Sequence, residues 1–210
     1  MTHPVSLGTP PAMSEAPTLV LASGSPRRRD LLARAGLQFE VRPADVPEHR
    51  RPGEEPGAFA ARLALEKAAA VTRALADGPP RLVLGADTIV VLGSEVLGKP
   101  SGPEHAVAML GRLLDRTHRV ITAVAVIESS SGRSRHALVE SRVTMGSATP
   151  QALRAYAATG EPLDKAGAYA AQGEGRRFVE RIEGSESNVI GLPVEETLAL
   201  LREAGEAEIP

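Results

Sequence analysis

The chain predicts an α/β fold, a mixed twisted sheet flanked by helices, and three observations carry that expectation. Short apolar runs rich in Val, Ile and Leu alternate with segments whose apolar residues recur at helical spacing. The first such run passes through Gly24 and Ser25 directly into a helix-forming stretch, a strand, loop and helix in succession. Two long β-branched segments then stand back to back around residues 129–132, which breaks the regular alternation of a purely parallel sheet and calls for an antiparallel pair. With 210 residues there is room for one domain with a substantial core, expected over residues 18–210.

Each element has its own reason. TLVLAS, 18–23, is a buried-strand run, and PRRRDLLARAG follows with Ser25 suited to the N-cap and Pro26 to the first helical position. Leu31, Leu32 and Ala35 supply that helix's buried face and Gly36 ends it. FEVRPA, 39–44, reads as a second strand, followed by a polar loop containing Glu48; the Ala-rich helix 58–76 carries Glu66 and Lys67 and stops at DGPP. RLVLGADTIVVL, 81–92, has the density of a central strand, interrupted by the polar residues from Gly85 to Thr88. A hairpin or loop GSEVLGKPSGP and a helix near 104–115 come next, then the antiparallel pair, a helix near 150–158 and the glycine-punctuated GEPLDKAGAYAAQGEG. A strand over 176–184, a loop SESNVIGLP and a last helix from Val194 close the chain.

Composition excludes several functions. A net charge of -2 lacks the basic face of a nucleic-acid coat, and 2% aromatic residues cannot build a base-stacking platform, so no stable nucleic-acid partner is expected. Without cysteine there are no disulfides, thiolate nucleophiles or thiolate metal sites, and a cytoplasmic setting fits. The apolar runs are too short to span a membrane. Residues 1–17, rich in Pro, Ser and Thr, do not read as a signal peptide and are expected to form a disordered extension.

The chemistry gathers in a few motifs. Arg27, Arg28 and Arg29 stand at the positive end of a helix, where cations are unfavourable unless an anion sits among them. Helix-start amides, the Gly24–Ser25 turn and arginine forks would together hold a polyphosphate, whereas a solvated arginine surface is the competing reading. Asp87 puts a carboxylate in an apolar run, as a metal ligand, a general base or a turn residue satisfied by backbone amides. GSEVLGKP resembles a P-loop up to Pro100, which stands where that loop needs a hydroxyl for magnesium, so Lys99 is left as a point charge for a phosphate or an exposed hairpin lysine. In LDKAGAYAAQG, Asp164, Lys165, Tyr169 and Gln172 stand among small residues that let a ligand approach the backbone, and Gln172 could read a base edge. The five histidines show no metal-ligand spacing.

Taken in order, LASGSPRRR, LGADTIVVL with LGKP, LDKAGAYAAQG and SNVIGLP resemble the Maf family of nucleoside triphosphate pyrophosphatases, over about residues 18–204. The resemblance implies a fold similar to the ITP pyrophosphatases (Maf/Ham1), a homodimer, a divalent cation (Mg2+ or Mn2+), and hydrolysis of a nucleoside triphosphate to the monophosphate and pyrophosphate. It makes Asp87 the catalytic acidic residue, with Asp87 and Glu48 as metal ligands. Ser25, Arg27, Arg28, Lys67, Lys99 and Lys165 become phosphate or substrate contacts, and Arg27, Thr88 and Gln172 the positions tied to substrate choice. The glutamine-containing AYAAQG is similar to the branch acting on dTTP and UTP. A 7-methyl-GTP pyrophosphatase and a nucleotide-binding regulator of septum formation are the alternatives. Two departures, Ala171 where a larger apolar residue is common and Glu186 where an aromatic one is, are expected near the base pocket.

Overall fold

A computed structural model describes residues 18–205; the extension expected over residues 1–17 lies outside the described residues. The chain runs β1 (Thr18–Leu21), α1 (Pro26–Arg34), β2 (Phe39–Val41), α2 (Pro56–Ala74), β3 (Arg81–Leu92), β4 (Glu95–Leu97), α3 (Pro103–Leu113), β5 (Thr117–Glu128), β6 (Ser134–Met145), α4 (Pro150–Ala158), β7 (Val179–Glu183), α5 (Glu186–Ile190) and α6 (Val194–Glu203). Three short 3-10 turns occupy residues 161–178. One mixed sheet has the order β2-β1-β3-β5-β6-β7, with β4 against β3. β1 pairs in parallel with β2 and β3, and every later pairing is antiparallel. This is the expected mixed sheet flanked by helices.

Alternation along β3 sorts the layers. Val83, Ile89 and Val91 face α2, where Phe59, Ala60, Leu63 and Ala64 cover Ile89 and Val91 and where Ala68 and Val71 cover Val83, while Leu82, Leu84 and Ala86 pack under α1 and α6 with Leu32, Leu200 and Leu201. Burying each of the large aliphatic side chains contributes roughly 1.5–3 kcal/mol. Gly85 lies on the α2 side, and a Cβ there would stand 2.1 Å from the Ala64 carbonyl oxygen. Only glycine lets α2 come this close, which brings Lys67, one turn on, down onto the strand.

Local expectations fail where tertiary contacts override them. The segment SESNVIGLP is not all loop: α5 forms in it, capped by the Ser185 hydroxyl, which accepts from the Asn188 amide at 3.2 Å. β7 begins only at Val179 because Glu174–Phe178 winds as a 3-10 turn. Ser25 occupies the N-cap of α1, but its hydroxyl makes no capping bond; its amide instead donates to the Ser23 hydroxyl at 3.3 Å. The polar residues Gly85 to Thr88 do not interrupt β3, which runs through them in register with β5.

Candidate active site

On its β1 side, β3 is unpaired between Leu84 and Val90. The β1–β3 ladder ends with the Ala22 amide donating to the Leu84 carbonyl at 2.8 Å, and β4 takes up the β3 edge only from Val90 onward. Beside the intervening stretch opens a cavity of about 370 Å³, within the range of small-molecule sites. Its lining holds five cationic side chains, Arg27, Arg28, Lys67, Lys99 and Lys165, against three carboxylates, Glu48, Asp87 and Asp164. Ser25 and Thr88 line it as well. Ligands of open α/β sheets bind at such carboxyl ends of strands.

Asp87 points to the α2 side and Thr88 to the α1 side, so one dipeptide serves both faces. The Lys67 ammonium donates to Asp87 Oδ1 at 2.7 Å and lies 2.6 Å from Glu48 Oε1. The Asp87 and Lys67 side chains are only 8% and 9% exposed, whereas Glu48 is half-exposed. Burial pushes the Asp87 carboxyl above its ordinary value in spite of Lys67 and Arg28. At Glu48 the upward push of burial is outweighed by the hydrogen bond and charge of Lys67, aided by Lys99 and Arg28, and the net direction is down. Two carboxylates sharing one cation keep a surplus negative charge, which suits a divalent ion. Among the described residues no three His, Asp or Glu side chains converge on a metal position. A cation here would therefore take one or two carboxylates and complete its shell with water and phosphate oxygens, as Mg2+ commonly does.

Across the strand, Arg28 is buried on neutral oxygens. Its Nε donates to the Gly191 carbonyl at 2.8 Å, Nη1 to the Ser23 hydroxyl at 3.0 Å and Nη2 to the Thr88 hydroxyl at 3.0 Å. Burial lowers its pKa, with Asp87 pulling the other way. Thr88 is also within 2.9 Å of the Thr122 hydroxyl, and Thr122 donates to the Asn188 carbonyl. Gly191 has φ 134, so the chain can turn its carbonyl onto the guanidinium.

Arg27, by contrast, stands partly open at the cavity, 3.7 Å from Asp164. Asp164 also pairs with Lys165, whose ammonium donates to the Glu161 carbonyl at 3.0 Å. Lys99 is exposed at the rim. Arg29 faces outward beside Asp30, at 3.8 Å. The lining also has an apolar part, with Val90, Val120, Val189, Ile190, Tyr169 and Ala171.

Two expected positions fall outside this lining. Gln172 is exposed next to Ala171 and is not part of the lining. Glu186 is exposed on the first turn of α5, so only Ala171 of the two departures meets the cavity. Conversely, Ser23, Thr122 and the Gly191 carbonyl complete the site without having been singled out. Ser23 lay within the LASGS stretch, but nothing in the sequence sets its hydroxyl apart, and a backbone carbonyl leaves no sequence signal at all.

A family model described as Maf-like protein matches residues 18–204. A dTTP/UTP pyrophosphatase of Anaeromyxobacter dehalogenans is 53% identical over 192 residues, covering 90% of this chain and 95% of that protein. Similar enzymes, also named dTTP/UTP pyrophosphatases, from Myxococcus xanthus and Moorella thermoacetica are 51% and 50% identical, with coverage of 89% and 87% of this chain and 92% and 94% of theirs. A solved nucleoside-triphosphatase/dITP/XTP pyrophosphatase of Mycobacterium abscessus superposes with a TM-score of 0.43 at 15% identity, over 92% of this chain and 99% of that one. With the family model spanning the sheet, the cavity and all four motifs, and with relatives at about half identity over most of their length, the chain belongs to the Maf-like protein family.

Proposed function

We propose that the chain is a nucleoside triphosphate pyrophosphatase hydrolysing dTTP and UTP to the monophosphate and pyrophosphate, a housecleaning role in the nucleotide pool. One observation carries the reading: a buried carboxylate, Asp87, lines a cavity with an excess of cations and a set of apolar side chains. A triphosphate meets the first two features and a base the third. Similarity to the dTTP/UTP pyrophosphatases supports the pyrimidine nucleotides as substrates.

In this mechanism Arg27, Lys99 and Lys165 bind the phosphate chain at the open side, and the amides at the start of α1 contribute their dipole. Arg28, held by three neutral acceptors, adds a fixed positive charge without needing to move. Asp87 holds the position from which its free oxygen can take a proton from water attacking the α phosphorus, and burial makes it a stronger base than an exposed aspartate. Lys67 orients Asp87 and Glu48. A divalent cation, Mg2+ or Mn2+, would be held by Asp87 and Glu48 and, when bound, supplies charge that offsets the phosphate oxygens. Homodimeric assembly and a cytoplasmic setting belong to the same proposal; among the described residues no helix is long and apolar enough to cross a membrane.

The test is pyrophosphate release by purified protein with Mg2+ on dTTP, UTP, CTP, 7-methyl-GTP and the purine triphosphates. Release from dTTP and UTP well above the others is expected. Preference for 7-methyl-GTP would overturn the substrate, and no release from any of them would move the role to nucleotide binding.

A further inference from the structure

Glu48 differs from its partners in the site because no secondary structure carries it. Asp87 rides on β3 and Lys67 on α2, but Glu48 lies in the segment between β2 and α2. From Pro43 to Glu54 that segment forms one backbone-to-backbone hydrogen bond among the described residues, from the Glu54 amide to the Arg51 carbonyl at 3.1 Å. The Glu48–Lys67 contact alone is a poor anchor, since a half-exposed ion pair contributes little.

What holds the segment is Arg62, on α2. Its guanidinium grips Glu54 through two parallel bonds, Nε to Oε1 at 2.7 Å and Nη2 to Oε2 at 2.8 Å. Nη2 also donates to the carbonyl of His49, the residue next to Glu48, at 3.0 Å. Nη1 is braced by Glu66 at 3.1 Å, and the guanidinium carbon lies 5.5 Å from the Phe59 ring centroid. Arg62 and Glu54 side chains are 15% and 11% exposed, far less than the other ion pairs of the surface such as Arg112 and Glu95 at 48% and 54%. One planar fork thus fastens both ends of residues 49–54, which a lysine cannot do.

We infer that Arg62 and Glu54 form a positioning bracket, outside the cavity, that sets Glu48 over Lys67 and Asp87. Neither residue lines the cavity, so neither touches substrate. The inference rests on the proposed role of Glu48 in the triphosphate site, and its test separates the two.

The experiment is a double-mutant cycle on dTTP hydrolysis with Arg62→Lys, Glu54→Gln and Glu48→Gln, each variant checked for folding by circular dichroism. Arg62→Lys and Glu54→Gln should each lower kcat about tenfold, with KM for dTTP within about threefold, because a misplaced group costs rate more than binding. In the Glu48→Gln background Arg62→Lys should add less than about twofold, the coupling expected of residues acting through one another. Binding of Mn2+, followed by electron paramagnetic resonance with a non-hydrolysable dTTP analogue, should weaken in parallel in Arg62→Lys and Glu48→Gln. An equal tenfold loss with and without Glu48, or unchanged Mn2+ binding in Arg62→Lys, would overturn the bracket. Wild-type turnover in Arg62→Lys beside an impaired Glu48→Gln would overturn the bracket and leave the site reading intact. Wild-type turnover in Glu48→Gln would remove both.

Discussion

The two faces of β3 meet the cost of burying charge in opposite ways. On the α2 face, Lys67 is shared between Asp87 and Glu48, so two carboxylates stand within one hydrogen-bond length of a single ammonium. On the α1 face, Arg28 has no carboxylate in contact among the described residues and is held by a carbonyl and two hydroxyls. The first arrangement can lose or exchange a partner when a cation or phosphate arrives, because Glu48 is half-exposed and carried by a segment without regular structure. The second cannot rearrange without leaving several buried polar groups unpaired, which costs about 1–3 kcal/mol apiece. Adjacent residues of one strand thus divide the work, with a labile charge cluster at Asp87 and a rigid electrostatic wall at Thr88.

The comparison breaks most visibly at Lys67. Lys67→Met leaves Asp87 buried without its cation and should lower turnover more than a hundredfold while destabilising the fold by about 3 kcal/mol, read by urea unfolding. Arg28→Lys tests the other face: one ammonium cannot replace a fork spanning Gly191, Ser23 and Thr88, so stability should fall by about 2 kcal/mol and kcat/KM by about tenfold. A third buried group, behind Tyr169 of the cavity lining, adds a dependence on pH. His118 is 2% exposed, its Nε2 lies 2.8 Å from the Tyr169 hydroxyl, and burial pushes its pKa down to about 4. The unfolded chain therefore binds a proton that the folded chain refuses between about pH 6.5 and pH 4, and stability falls as pH drops through that window. His118→Gln should flatten the urea-unfolding difference between pH 7 and pH 4 by up to about 3 kcal/mol. The smallest effect is expected at Gln172, exposed and outside the cavity lining: Gln172→Ala should alter kcat/KM for dTTP by less than about twofold, in the range of a surface substitution.

Much of the molecule was legible in advance. The antiparallel β5–β6 pair and α4 follow from β-branched runs and from a helix that opens Thr149-Pro150, with Thr149 accepting the Ala152 amide. Helix α5 was not legible because five residues are too few for periodicity, and its cap, Ser185, looks like any loop serine. In the site, the residue types were readable but their division of labour was not. Arg27 and Arg28 look alike in a run of three, yet position 28 shares a helix face with Leu32 and turns inward while Arg27 remains at the cavity. Likewise Asp87 and Thr88 form one motif in the sequence, and only the alternation of a continuous strand sends them to different partners. Gln172 shows the reverse, since its amide chemistry suits a base edge, whereas the folded chain leaves it exposed and outside the cavity lining.

The central claim is that Asp87 acts on a triphosphate bound among the cations of this cavity. Turnover of dTTP with Mg2+ by wild type and Asp87→Asn, with binding of a non-hydrolysable dTTP analogue measured on the same two proteins, tests it most directly. Asp87→Asn should lose at least about a thousandfold in kcat yet bind the analogue within about tenfold of wild type, since the cations that hold the phosphates remain. Hydrolysis by Asp87→Asn at the wild-type rate would contradict it.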